Sequence, residues 1–168
     1  LSNNKVTADT AFPHGLFSLL KYLLHLSYRV FCAMGDGEIQ EGQIWEAAMC
    51  AGKYRLDNLV GIVDYNHLQI DGTVEEVMPL EPLGDRWASF GWNVIHIDGH
   101  NIERIDEAFR AAEDFKGKPT VVIAHTVKGK GVSFMENNVA WHGHPPVGED
   151  YVKARAELVA HLNELEGK

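Results

Sequence analysis

Two short motifs carry residue types that could hold a hard cation and a phosphate together. Gly35-Asp36-Gly37-Glu38 follows one apolar run, and Asn66 follows the next, thirty residues beyond Asp36. A carboxylate, an amide oxygen and a backbone carbonyl are ligands that suit Mg2+ or Ca2+, and such a cation also takes oxygens from a bound phosphate. Glycine on each side of Asp36 lets the backbone approach a ligand closely and adopt dihedrals barred to other residues. Taken alone, Gly-Asp-Gly is also an ordinary turn sequence and Asn66 an ordinary loop residue. The spacing, and the position of both motifs just after apolar runs, favour the cation-binding reading.

Such a site needs two strand ends facing one crevice, and the surrounding pattern provides them. Arg29 to Met34 reads as a buried strand, and Leu59 to Val63, Val94 to Ile97 and Thr120 to Ala124 as further strands, separated by helical stretches. Ile44, Ala47, Ala48 and Ala51 recur at helical spacing. Asn101 can cap a second helix that uses Ile105, Ala108, Phe109 and Ala112. This alternation predicts an α/β fold, a parallel sheet with helices on both faces. Open parallel sheets place ligands outside the carboxyl ends of their strands, where Asp36, Asn66, Asp98-Gly99-His100 and His125-Thr126 all fall. Residues 128–146, rich in Gly, Asn, His and Pro, read as a loop. Tyr151, Ala154, Leu158, Leu162 and Leu165 then predict a closing amphipathic helix.

With 168 residues, 45% hydrophobic and 23% charged, the chain fits one folded domain. A formal charge of −9 opposes broad attraction to nucleic acid or anionic membranes, so any phosphate must be bound locally. Cys32 and Cys50 have neither C-x-x-C nor metal-ligand spacing, which favours a reducing compartment; the cytoplasm is the expected location. The run from Leu16 to Leu26, interrupted by Lys21 and His25, is too short to cross a bilayer, and residues 1–10 make a poor secretory leader. A start at Leu1 rather than Met leads to the expectation of a fragment, a processed product or an incomplete sequence.

The segment from Gly35 to Gly72, GDGEIQEGQIWEAAMCAGKYRLDNLVGIVDYNHLQIDG, resembles the thiamine diphosphate motif of transketolases, which opens on GDG and closes on Asn. The resemblance continues through Asp85-Arg86-Trp87, Phe90-Gly91-Trp92 and Asp98-Gly99-His100, then from Ile123 through Gly131, to Trp141-His142-Gly143. It implies the diphosphate-type thiamine diphosphate-binding fold over residues 1–147, with a divergent, truncated N-terminal segment over 1–28, and a C-terminal helix over 148–168. It implies two cofactors, thiamine diphosphate and Mg2+ or Ca2+. Asp36 and Asn66 would give side-chain oxygens to the metal and Leu68 its carbonyl. Gly35, Gly37 and Glu38 would line the diphosphate, with the Gly37 N–H donating to it. Ile70 would pack near the thiazolium ring, and Lys128 and His142 would reach the diphosphate or reacting centre from the loop. For Lys128 the residue alone equally allows a solvated surface lysine.

Glu41 and Glu46 lie on a helix that in this family faces the subunit interface. The resemblance places them on a proton path between two active sites, while the residues alone also allow solvated carboxylates favoured by the helix dipole. His100, His125, His144 and His161 read as surface or structural residues. The implied activity is transfer of a two-carbon ketol unit from a ketose phosphate to an aldose phosphate, with a pyrimidine-domain partner in a homodimer or heterotetramer. The glutamate that contacts the cofactor's pyrimidine ring belongs to that partner. Ahead of the GDG strand, transketolases carry a longer segment with histidines and a GSLGQGL-type turn, where this chain has only His14-Gly15-Leu16. Alternatives are a deoxyxylulose phosphate synthase-like or 2-oxoacid dehydrogenase-like component, or a non-catalytic remnant.

Overall fold

The computed structural model describes residues 28–167. The expected N-terminal segment over 1–28, with His14-Gly15-Leu16, lies almost wholly outside the described residues. Among those described, β1 (Val30–Gly35) leads through a 3-10 turn (Glu38–Gln40) into α1 (Gly42–Tyr54). β2 (Leu59–Tyr65) follows, then a hairpin of β3 (Leu68–Gln69) and β4 (Gly72–Thr73), α2 (Val74–Val77) and α3 (Leu83–Ser89). β5 (Asn93–Asp98), α4 (Ile102–Asp114) and β6 (Thr120–His125) complete the alternation. A second 3-10 turn (Val139–Trp141) and α5 (Glu149–Leu165) come last.

The four long strands form one parallel sheet in the order β1-β2-β6-β5. Side chains alternate between its two faces, as the strand period demands. On one face Cys32, Met34, Val63, Val121 and Ile123 pack against Ile44, Ala48 and Ala51 of α1 and Leu83 and Trp87 of α3. On the other, Val60 and Val122 pack against Ala108 and Ala112 of α4, with Phe31, Ile62, Ile95 and Ile97 beside them. Helices therefore cover both faces, as the sequence pattern predicts, and the first face holds the larger core.

That larger core is built around tryptophans. Trp87 stands edge-on to Trp92 at 4.8 Å between ring centroids, and Trp45 lies 5.2 Å from Trp87. The Trp92 indole N–H donates to the Ala48 carbonyl at 2.9 Å, which ties the start of β5 to α1. A Cβ on Gly52 would lie 1.9 Å from the Phe90 carbonyl oxygen, so only glycine allows α1 this close to the end of α3. The site loops described below leave from strands anchored on this core.

Two expectations need correction. β1 and β5 are the two edges of the described sheet, and neither is buried throughout: in β1 Ala33 is exposed while Cys32 and Met34 are covered, and in β5 His96 and Asp98 are exposed. α5 forms where the periodicity placed it, but Ala154 is its one buried residue; Tyr151, Leu158, Leu162 and Leu165 are exposed. Periodicity identifies an apolar face without identifying what covers it. Glu157 ties α5 to the preceding loop, its carboxylate accepting from the N–H and the hydroxyl of Ser133 at 2.6 and 2.8 Å. No helix among the described residues is long and apolar enough to cross a membrane.

Candidate functional site

The parallel register brings the carboxyl ends of the strands to one edge. Gly35 is paired with Asp64, and Tyr65 and Asp98 both with His125. The chain leaving β1 therefore meets the chain leaving β2, and Asp36 and Asn66 share a crevice as the strand-end argument requires.

Asp36 is only 1% exposed, and each of its carboxylate oxygens is engaged. Oδ1 accepts from the Gly37 N–H at 2.8 Å, and Oδ2 from the His67 N–H at 2.5 Å. The Asp36 N–H donates to the Asp64 carbonyl at 3.2 Å. Burial pushes the Asp36 pKa up; hydrogen bonds from the His67, Gly37 and Asn66 backbone pull against that, and the Asp64 charge adds to it. No Lys, Arg or His side chain among the described residues forms an ion pair with Asp36. A buried carboxylate oriented by backbone donors and lacking a cationic partner is a site at which a metal ion would compensate charge. Asn66, 8% exposed, accepts the Leu68 N–H on Oδ1 at 3.1 Å, which fixes the amide over its own turn. No three His, Cys, Asp or Glu side chains among the described residues are grouped to hold a metal, so a cation here would rest on mixed oxygen donors. One carboxylate, one amide and one carbonyl are a chemically suitable set for Mg2+ or Ca2+.

The two glycines do not supply the unusual dihedrals expected of them. Neither has positive φ, and Gly37 is right-handed helical at φ −62°. Gly37 is required for room, because a Cβ there would lie 2.6 Å from the Gln69 Cβ, whereas one on Gly35 would meet nothing within 4 Å. The Gly37 N–H, implied to reach the diphosphate, is engaged by Asp36. Glu38 turns back to accept the Gly35 N–H at 3.0 Å and so closes the turn. Beyond the turn, Leu68 is buried in the hairpin and Ile70 is 70% exposed beside it.

The remaining candidates stand apart. Lys128 comes three residues after β6, in a loop closed by the Asn137 N–H donating to the Lys128 carbonyl at 3.0 Å. Gly129, at φ 73°, passes so close to Met135 that a Cβ would lie 2.5 Å from its carbonyl oxygen. His142 follows the Val139–Trp141 turn and is half-buried, with Nδ1 buried and unpartnered. Among the described residues, no hydrogen bond or ion pair joins Lys128 or His142 to the Asp36–Asn66 cluster. Glu41 is the exposed N-cap residue of α1, accepting from Gln43 Nε2 at 2.9 Å, and Glu46 is exposed one turn on.

A second group of polar residues at this edge escaped the sequence reading. The Tyr65 hydroxyl donates to Glu81 at 2.7 Å; burial and that carboxylate push the phenol's pKa up, and the same bond holds Glu81 down. The His67 ring lies 4.1 Å from the Tyr65 ring and bonds Glu75 through Nδ1 at 2.7 Å. His125, read as a surface or structural residue, stacks on His96 with 3.1 Å between Nε2 and Nδ1; burial first, then the His96 and His67 charges, lowers its pKa. The available signal was position: Tyr65, His67 and His125 all sit at or just beyond a strand's carboxyl end.

Residues 24–163 match the family described as "Transketolase, thiamine diphosphate binding domain". The chain is 48% identical over 139 residues to one component of the apulose-4-phosphate transketolase of Phocaeicola vulgatus, covering 83% of this chain and 50% of that protein. It is 49% identical over 134 residues to a component of the 6-deoxy-6-sulfo-D-fructose transketolase of a Clostridium species, covering 80% and 49%. Both relatives are named as subunits of their enzymes, and the chain spans about half the length of each. Among solved structures, the transketolase of Campylobacter jejuni superposes with a TM-score of 0.77 at 31% identity, over 88% of this chain and 23% of that one.

Proposed function

The chain belongs to the transketolase family, through its thiamine diphosphate-binding domain, and on that footing we propose that it grips thiamine diphosphate through a divalent metal on Asp36, Asn66 and the Leu68 carbonyl. The observation that carries this reading is Asp36: buried, aimed by two backbone donors from different strand ends, and without a cationic side chain to balance it. Mg2+ or Ca2+ would supply that balance and draw in diphosphate oxygens. When bound, thiamine diphosphate supplies the carbon nucleophile and electron sink for two-carbon transfer. The chain's own residues anchor and orient. Asn66 and Leu68 complete the metal set, Gly35 leaves room beside it, and Glu38 holds the Gly35 turn closed. Ile70 offers exposed apolar surface to the thiazolium ring. Lys128 and His142 approach from the loop to the diphosphate or reacting centre, and Glu41 faces a second copy across the interface.

The activity proposed is ketol transfer from a ketose phosphate to an aldose phosphate. Both of the half-matched relatives carry transketolase names, which supports this over pyruvate-consuming chemistry. A partner chain with a pyrimidine domain would complete the site, in a homodimeric or heterotetrameric assembly. The test is to combine the chain with a pyrimidine-domain partner and offer ketose phosphates with aldose phosphate acceptors, and pyruvate in parallel. Two-carbon transfer that needs both chains is expected; turnover of pyruvate without ketol transfer would overturn the reading.

A further inference from the structure

His67 has a backbone conformation unusual for a non-glycine residue, and it lies between two of the proposed metal ligands. Its φ is 64°, in the left-handed region, directly between Asn66 and Leu68. That conformation has a local cost and persists where surrounding contacts hold it. Here they do. One face of the ring lies on Tyr65, 4.1 Å between centroids, and Nδ1 bonds Glu75 at 2.7 Å. The His67 carbonyl accepts the Val74 N–H at 2.9 Å. Both props are themselves fixed. Tyr65 is buried and bonded to Glu81, which also accepts the Leu83 N–H at 2.8 Å. Glu75 lies in the first turn of α2, which a capping box between Thr73 and Glu76 secures.

The result of this bracing is the direction of one N–H. The His67 amide donates to Asp36 Oδ2 at 2.5 Å and, with the Asn66 backbone beside it, ties the Asp36 carboxylate to the second strand end, whereas the Gly37 donor belongs to Asp36's own turn. We propose that His67 is a positioning residue for the metal-diphosphate site: Tyr65 and Glu75 clamp its ring, the clamp holds the left-handed backbone, and the backbone aims the amide that orients Asp36. This rests on the reading of Asp36 as a metal ligand. It concerns geometry, so it holds whichever protonation state the ring adopts.

The substitutions separate side chain from backbone. His67→Ala removes the clamp and disfavours positive φ. His67→Asn tolerates positive φ and retains a polar side chain within reach of Glu75. Glu75→Gln weakens one prop. The first readout needs no ligand: the residue-67 amide proton, bonded to a carboxylate, is expected far downfield by NMR in the wild-type chain and in His67→Asn. It should move upfield in His67→Ala and partly so in Glu75→Gln. The second readout is Mn2+ affinity in the presence of thiamine diphosphate, by electron paramagnetic resonance, in the chain assembled with its partner. His67→Ala is expected to weaken it about tenfold, the lower end of what losing a group that orients a ligand brings, and His67→Asn to restore it to within about threefold. Thermal stability should stay within a few degrees for all three. An amide resonance unmoved in both His67→Ala and Glu75→Gln overturns the positioning role. Unchanged Mn2+ affinity in Asp36→Ala would instead overturn the site reading beneath it, so the two failures are distinct.

Discussion

The strand-end grip and the glycine-rich loop serve one proposed site but are built in opposite ways. In the grip, Asp36 and Asn66 are buried, each oxygen used is paired with a backbone N–H, and the whole sits on strands anchored in the tryptophan-lined core. In the loop, Lys128 and His142 are half-buried, are bonded to the grip by nothing among the described residues, and lead into a helix with one buried residue. The difference separates preorganisation from recruitment. Groups that must hold a metal at fixed geometry are set by the fold, whereas groups that meet a diphosphate can be placed when ligand and partner arrive.

This contrast can be tested in order of expected effect. Trp87→Ala, in the core that anchors the grip's strands, should cost about 3–5 kcal/mol of folding free energy, as for other large aromatic-to-alanine changes, read from urea unfolding. Asp36→Ala should weaken metal-dependent cofactor binding by about 100-fold or more, beyond what loss of an outer-shell partner brings, while leaving the fold intact. Gly37→Ala should reduce that affinity about tenfold, because its Cβ must displace Gln69, and Gly35→Ala should cost less because its Cβ meets no protein atom. Lys128→Ala should change affinity about threefold, in a salt-dependent way, since a half-buried lysine attracts a diphosphate across partly screening solvent. Leu162→Ala on α5 should move stability by no more than about 0.5 kcal/mol in the chain alone. A Lys128→Ala effect equal to that of Asp36→Ala would show that the loop is as preorganised as the grip.

What could be read from the sequence follows the same division. The strands and the Asp36–Asn66 pairing were legible because strand period and polar punctuation are local signals, and a parallel register then brings the strand ends together without further information. The physical need for glycine at 37 was not legible, since it comes from Gln69 across the crevice rather than from its own dihedrals. The His67 clamp was illegible because it depends on Tyr65, Glu75 and Glu81 meeting through the hairpin and α2, a contact set that no spacing rule encodes. α5 shows the converse: its period was clear, and the surface it faces was not.

The cysteines offer a control independent of any ligand. Cys32 is buried on the α1 face of β1, where burial pushes its thiol up to about 11, with Glu38 adding to the shift; Cys50 is exposed on α1. A thiol reagent near pH 8 should label Cys50 and leave Cys32 unmodified until the chain unfolds, because only the thiolate reacts.

The most direct test of the central claim is calorimetric titration of thiamine diphosphate into the chain assembled with a pyrimidine-domain partner, with Mg2+ and again with the metal chelated. A metal-held diphosphate predicts saturable binding with Mg2+ that disappears on chelation and disappears likewise in Asp36→Ala. Equal binding with and without metal, unchanged by Asp36→Ala, would contradict it.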